Sequence, residues 1–336
     1  MLYCGEKAVF QNARLRMDLS SPCSLFVFTV FSVNSIGDLW IKYGRDMDRL
    51  DQKLHLSFTT NQQIIQLIAE IDLFRGKWEH LEQQHSVFLN ELKGIATIQS
   101  IGSSTRIEGA TLSDAEIEQL LADLKVNRLE NRDEQEVVGY YDVLELILDN
   151  AEDIKLTENY IMQLHTLLLR YSSKDSGQKG AYKKVSNKVV ASYPDGTQRI
   201  IFNTTEPYLV RKEMQELFSW TNKRLENLEY HPLLVIGLFI YEFLSIHPFH
   251  DGNGRLSRLL TTLLLVRSDY DFIKYISFEH IIENRKERYY AALMECQRKR
   301  NTEEERVDTW MLFFLNALKL VTVKLNLKMD NSGGIA

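Results

Sequence analysis

The chain has 336 residues, 44% of them hydrophobic and 26% charged, enough to bury one large core or two ordinary ones. Its formal charge of -6 is mild and shows no basic stripe, which argues against a protein built to grip a nucleic-acid backbone. Cys4, Cys23 and Cys296 are odd in number and lack paired metal-ligand spacing, so neither a disulfide framework nor a structural zinc site is indicated and a reducing, cytoplasmic setting fits.

Residues 1–46 read as an atypical N-terminal extension around the apolar run CSLFVFTVF at 23–31. The run is shorter than the ~20 apolar residues a bilayer span takes, and no small-x-small cleavage site follows. No membrane association is expected, and Met47 serves equally well as the start of the folded part. From Asn61, the apolar residues Ile64, Leu67, Ile68, Ile71, Phe74, Trp78 and Leu81 recur at helical spacing, and Phe88, Leu92 and Ile95 repeat the pattern. They open an N-terminal helical region, 47–130. Within it LSDAEI, 112–117, carries Ser113 as N-cap, Glu116 at the capping-box position and Leu112 facing Ile117, which predicts a helix from Asp114.

A core domain is expected over 131–328, with helices at 135–148, 157–170, 207–225 and 232–245. Pro207 and Pro232 stand where a first helical turn tolerates them, and the helix after Pro232 is apolar nearly all round, as a buried central helix would be. One segment breaks the helical rule. Between 180 and 203, β-branched and aromatic runs flank Pro194-Asp195-Gly196, which predicts a β-hairpin. Helices resume over 256–266, 280–299 and from a Thr302/Glu305 capping box to about 327, leaving a short tail at 329–336. The fold class expected is all-α with a small β-hairpin.

The densest chemistry lies in HPFHDGNGRLSR, 247–258. His247 ends the apolar helix and Leu256 belongs to the next amphipathic run, so PFHDGNG is the loop between them. The free amides of a helix start and a Gly-Asn-Gly turn form a nest that favours phosphate, and Gly252 and Gly254 let a ligand approach the backbone. Arg255 and Arg258, on one helical face, are placed to hold separate phosphates of a chain. Asp251 suits Mg²⁺, which prefers one or two carboxylates with phosphate oxygens and waters. His247, ordinarily titrating near about 6.5, is able to take a proton from a hydroxyl at neutral pH. Phe249 is expected to anchor the loop in the core, and His250 receives no catalytic role.

This stretch resembles the signature of the Fic family, His-x-Phe-x-Asp/Glu-Gly-Asn-Gly-Arg-x-x-Arg, matched at every fixed position from His247 to Arg258. The resemblance implies an all-α core with a hairpin flap at 180–203, and transfer of AMP from ATP to a Ser, Thr or Tyr hydroxyl of a target protein with release of pyrophosphate. It implies that His247 deprotonates the attacking hydroxyl, that Asp251 holds Mg²⁺, and that Asn253 with the amides of Gly252 and Gly254 stabilises charge at the α-phosphate. Arg255 and Arg258 then hold the outer phosphates. The adenine is expected against Asn284, Tyr289 and Tyr290, with at most one of the adjacent tyrosines lining a pocket. Upstream, SSTRIEGA resembles the family's inhibitory pattern at Ser104, Glu108 and Gly109, which implies a helix carrying its own inhibitor on the N-terminal side.

The partners so implied are ATP and a target protein docked at the flap, with room for a homodimer and no nucleic acid. The tail after about 327 is too short for a DNA-binding appendage. Phosphorylation is disfavoured because Gly252 and Gly254 keep the nucleotide-transfer form of the motif. Removal of AMP, another nucleotide donor, or a nucleotide-binding regulatory module stay open as alternatives.

Overall fold

The computed structural model describes residues 48–124, 129, 131–172, 177–192 and 198–332. The expected N-terminal extension, the Pro194-Asp195-Gly196 turn and residues 333–336 of the short tail lie outside the described residues, while 329–332 continue the last helix. The described residues open with α1 (Arg49–Lys53), capped by the Asp48 side chain, and α2 (Phe58–Gln84), capped by Ser57. Then come α3 (Ser86–Ile107), α4 (Asp114–Ala122), α5 (Arg132–Asn150) and α6 (Glu158–Leu168). The expected capping box of α4 is formed, with Ser113 and Glu116 satisfying each other's backbone amides, and Asn131 with Glu134 makes a second one at α5.

Strands β1 (Lys188–Ser192) and β2 (Gln198–Asn203) pair antiparallel, from Lys188 opposite Asn203, with an irregularity between Val189 and Val190. After them run α7 (Pro207–Asn227), α8 (Pro232–Ile246), α9 (Asn253–Val266), a 3₁₀ turn (Asp271–Tyr275), α10 (Phe278–Glu283), α11 (Lys286–Gln297) and α12 (Asp308–Ser332). Helix α8 is the centre: nearly all its residues are buried, and α7, α9 and α12 pack around it. Helix α12 is long and apolar enough to cross a bilayer by composition, yet half of that stretch is buried within the protein.

Two expected elements take another form. The helix predicted over 280–299 is broken into α10 and α11, because Ser277 caps an earlier start and Asn284 closes α10 by donating its side-chain amide to the His280 carbonyl at 2.7 Å. The capping box at Thr302 and Glu305 is not formed. Glu305 is drawn into the core instead, where it accepts from Lys53 at 2.8 Å and Tyr241 at 3.0 Å, and α12 starts only at Asp308. Tertiary charge pairing overrides a local cap in this case.

The hairpin is fastened at its base by Lys183. Its amide donates to the Pro248 carbonyl at 2.8 Å, and its ammonium donates to Asn187, Thr204 and the Ile246 carbonyl at 2.8, 2.6 and 3.1 Å. Burial pushes this ammonium down to about 8. The strand pair therefore rests on the loop that follows α8.

Candidate active site

Helix α8 ends at His247, which holds a left-handed backbone (φ 53°) and donates its amide to the Phe243 carbonyl. That conformation turns the chain sharply into the loop, and Phe249 is then fully buried. Asn253, also buried, closes the loop on itself: its side chain accepts from the Phe249 amide at 2.9 Å and donates to the Phe249 carbonyl at 2.8 Å. Gly252 sits at φ 79°, which a glycine adopts at no steric cost, and starts α9 with its amides pointing out of the helix end.

His247 Nδ1 lies 3.2 Å from the Leu244 carbonyl, which accepts only, so that nitrogen carries the proton and Nε2 keeps its lone pair. Burial pushes the imidazole down to about 4, so it is neutral at physiological pH. Asp251 is 3.0 Å from Arg255 and 3.5 Å from Arg132. Burial alone would raise its carboxyl, but Arg255, the Gly252 amide and Arg132 together hold it below the ordinary carboxylate range. A neutral base and an ionised carboxylate thus face the same cavity.

Arg258 comes from the next turn of α9 and is 2% exposed. It donates to the Ser104 hydroxyl at 2.7 Å, to the Ser104 carbonyl at 2.9 Å and to Glu108 at 2.8 Å. Glu108 caps α3, and Gly109 at φ 108° ends that helix. Burial alone would raise the Glu108 carboxyl; Arg258 overrides it, so the group stays ionised. A Cβ on Gly254 would stand 2.1 Å from the Glu108 carboxylate. The acidic tip therefore lies directly on the N-terminus of α9, where an anion is most favoured. Arg106 fixes this end of α3 through Glu283 at 2.7 Å and Asp114 at 2.9 Å.

These groups line a cavity of about 90 Å³ with Leu244, His250, Tyr289, Tyr290, Leu293 and Phe202 of the hairpin. Ligand pockets run to roughly 300–1,000 Å³, so this one is small, and the Glu108 carboxylate borders it from the end of α3. His247, Asp251, Gly252, Asn253, Gly254, Arg258, Tyr289, Tyr290 and Glu108 are brought together. Both tyrosines line the cavity, contrary to the expectation of one, and their rings pack edge to face at 5.2 Å.

Arg255 and Asn284 are not brought to the cavity. Arg255 is 1% exposed and its cation is already matched by Glu136 at 3.1 Å and Asp251 at 3.0 Å, so it steadies Asp251 instead of clamping an outer phosphate. Asn284 is exposed and spends its amide on the end of α10. Sequence reasoning passed over His250, Leu244, Leu293 and Phe202, and also Lys183, Glu136 and His165, which support the loop from other elements. A polar residue inside an apolar helical stripe, as at His165, was the available signal.

Residues 155–265 match the model of the Fic/DOC family. That stretch, which ends just past the 247–258 signature, is similar to a Fic domain. The chain is similar to the protein adenylyltransferase Fic of Aedes aegypti, with 26% identity over 263 residues, 69% of this chain and 50% of that protein. A similar Drosophila willistoni protein of the same name is 27% identical over 60% of this chain and 38% of its own length. The chain thus spans half or less of the length of these relatives. Among solved structures, a Fic family protein from Desulfovibrio desulfuricans matches with a TM-score of 0.63 and 28% identity, covering 79% of this chain and 74% of that one. The Fic fold of helices with a small strand pair is the one described above.

Proposed function

We propose that this protein is an adenylyltransferase that moves AMP from ATP to a Ser, Thr or Tyr hydroxyl of a target protein, and that Glu108 restrains it. The observation that carries the reading is the convergence, in one cavity, of a neutral His247, the open amides of α9, ionised Asp251 and a buried Arg258. Relatives named protein adenylyltransferase support the same reaction.

In this reading His247 Nε2 takes the hydroxyl proton as the oxygen attacks the α-phosphorus and the bond to the β-phosphate breaks, releasing pyrophosphate, while the amides of Gly254 and its neighbours hold the phosphoryl oxygens. Asn253 keeps the loop in shape. Arg258 holds the terminal phosphate once Glu108 leaves it. The donor set suits Mg²⁺: one ionised carboxylate, Asp251, beside a phosphate seat is what this hard cation takes, although no cluster of three acidic, His or Cys ligands exists among the described residues. Mg²⁺ would supply charge neutralisation between phosphates. A target segment added along the hairpin would bring its hydroxyl to His247, since Phe202 of β2 already lines the cavity.

Incubation with a lysate and ATP labelled at either the α- or the γ-phosphate tests the reaction. Covalent label from the α-position only is expected of the Glu108→Gly protein. Label from the γ-position would mean phosphorylation, and nucleotide binding without label from either would mean a binding module.

A further inference from the structure

His165 stands on α6, outside the signature, and is 1% exposed. Its ring is stacked on Phe249 with centroids 3.8 Å apart and planes 7° from parallel. The Gly180 amide donates to Nδ1 at 3.0 Å, so that nitrogen is unprotonated. The proton therefore sits on Nε2, 3.0 Å from the Asp251 carbonyl, to which it is donated. A Cβ on Gly252 would lie 3.5 Å from the same Nε2, so the imidazole forms the floor under the turn that starts α9.

The other end of the contact is equally tight. Gly180 has φ 65°, and a Cβ there would meet the Thr166 hydroxyl at 2.2 Å, so the chain entering the hairpin is pressed onto α6. A single ring thus joins three separate pieces: the hairpin entry, the Phe249 anchor and the backbone of Asp251. Both nitrogens of a buried imidazole need partners, and what matters is which groups they join. This one spends its acceptor on the hairpin and its donor on the residue whose carboxylate faces the phosphate seat.

We infer that His165 is a positioning residue that couples the hairpin entry to the Asp251 carbonyl and so holds the 250–254 loop in its ligand-binding shape. The inference rests on the proposed nucleotide site, which it deepens. Partners one shell away from a ligand-holding carboxylate commonly change affinity by roughly 10–100-fold when removed.

The test uses the full chain in the Glu108→Gly background. His165→Phe keeps a flat ring for Phe249 and removes both hydrogen bonds; His165→Gln returns a donor of similar reach. Calorimetric titration with ATP and Mg²⁺ should show His165→Phe binding about tenfold or more weakly than its parent, with His165→Gln recovering part of the loss. Hydrogen exchange, which needs no ligand, should show faster exchange at Gly180 and across 250–254 in His165→Phe, while the unfolding midpoint moves little. Parent-like binding and loop protection in a folded His165→Phe would overturn the inference. So would equal losses in both variants that follow a drop in folded fraction. Failure of the parent to take label from ATP would sink the transfer reading alone, because loop protection still decides the role of His165.

Discussion

Two buried groups of ion pairs tie this molecule together, and they differ in what could replace a partner. At one end, Lys53 of α1 meets Glu242 and Glu305, Arg300 meets Glu242 and Glu213, and Asp51 holds Arg224, with these side chains 10% exposed or less. At the other, Arg258 is as deeply buried but its partner Glu108 is 34% exposed and lies in a cavity. In the first group both members of each pair are buried, so each charge depends on its neighbours, although Arg300 also borders a cavity of about 320 Å³. In the proposed function the second exchanges a carboxylate for a phosphate. Under the proposed function, similar pairs serve folding in one place and regulation in the other.

Breaking the first group should damage the fold most. Glu242→Ala leaves Lys53 and Arg300 buried without their shared partner, and its unfolding free energy in denaturant is expected to fall by ~3–5 kcal/mol. Glu108→Gly removes a pair open to water on one side, with an expected cost of about 1 kcal/mol or less. Comparable losses for the two would erase the distinction.

Within the second region, adding His247→Ala to Glu108→Gly should lower covalent labelling by about a hundredfold or more while ATP still binds, since the base acts only in the transition state. Adding Arg258→Ala instead should weaken both binding and labelling by about tenfold, the scale of one charge-assisted contact. Unchanged nucleotide affinity there would show that Arg258 holds no phosphate.

The smallest expected effect is with pH. Burial holds His247 at about 4, below the ordinary value near ~6.5, so it stays a neutral base as pH falls from 8 to 6. Labelling by Glu108→Gly should show no His247 step in that window, with its acid limb lying lower. By linkage, the stability tied to the neutral ring is complete above about 6.5 and declines as pH falls toward the folded value, because the unfolded chain binds the proton first. A labelling midpoint near 6.5 would mean an imidazole open to water.

Local chemistry made much of this readable in advance. The α4 capping box, the prolines opening α7 and α8, and the strand runs around 180–203 each depend on neighbours within a few residues, and all formed. The motif loop was legible because its base, carboxylate, glycines and Arg258 are contiguous. What the sequence hid depends on distant pairing. Glu305 left its cap for Lys53, far away in the chain, and Arg255 was claimed by Glu136 on α5. Neither His165 nor Lys183 carries a local pattern that declares its partner across the fold. Asn284 was read as a ligand group, whereas ending α10 is a task any exposed Asn can perform.

The most direct test of the difference between the two regions is labelling by wild type and Glu108→Gly side by side, at equal ATP and Mg²⁺, with the folded fraction measured in the same samples. The expected result is labelling of target or self well above wild type, about tenfold or more if one charge-assisted contact is what blocks the phosphate, from a mutant that is as folded as its parent. Equal or lower labelling by a folded Glu108→Gly protein that still transfers AMP to a competent target would contradict it, and would place the Glu108–Arg258 pair with Lys53 and Glu242 as a structural contact.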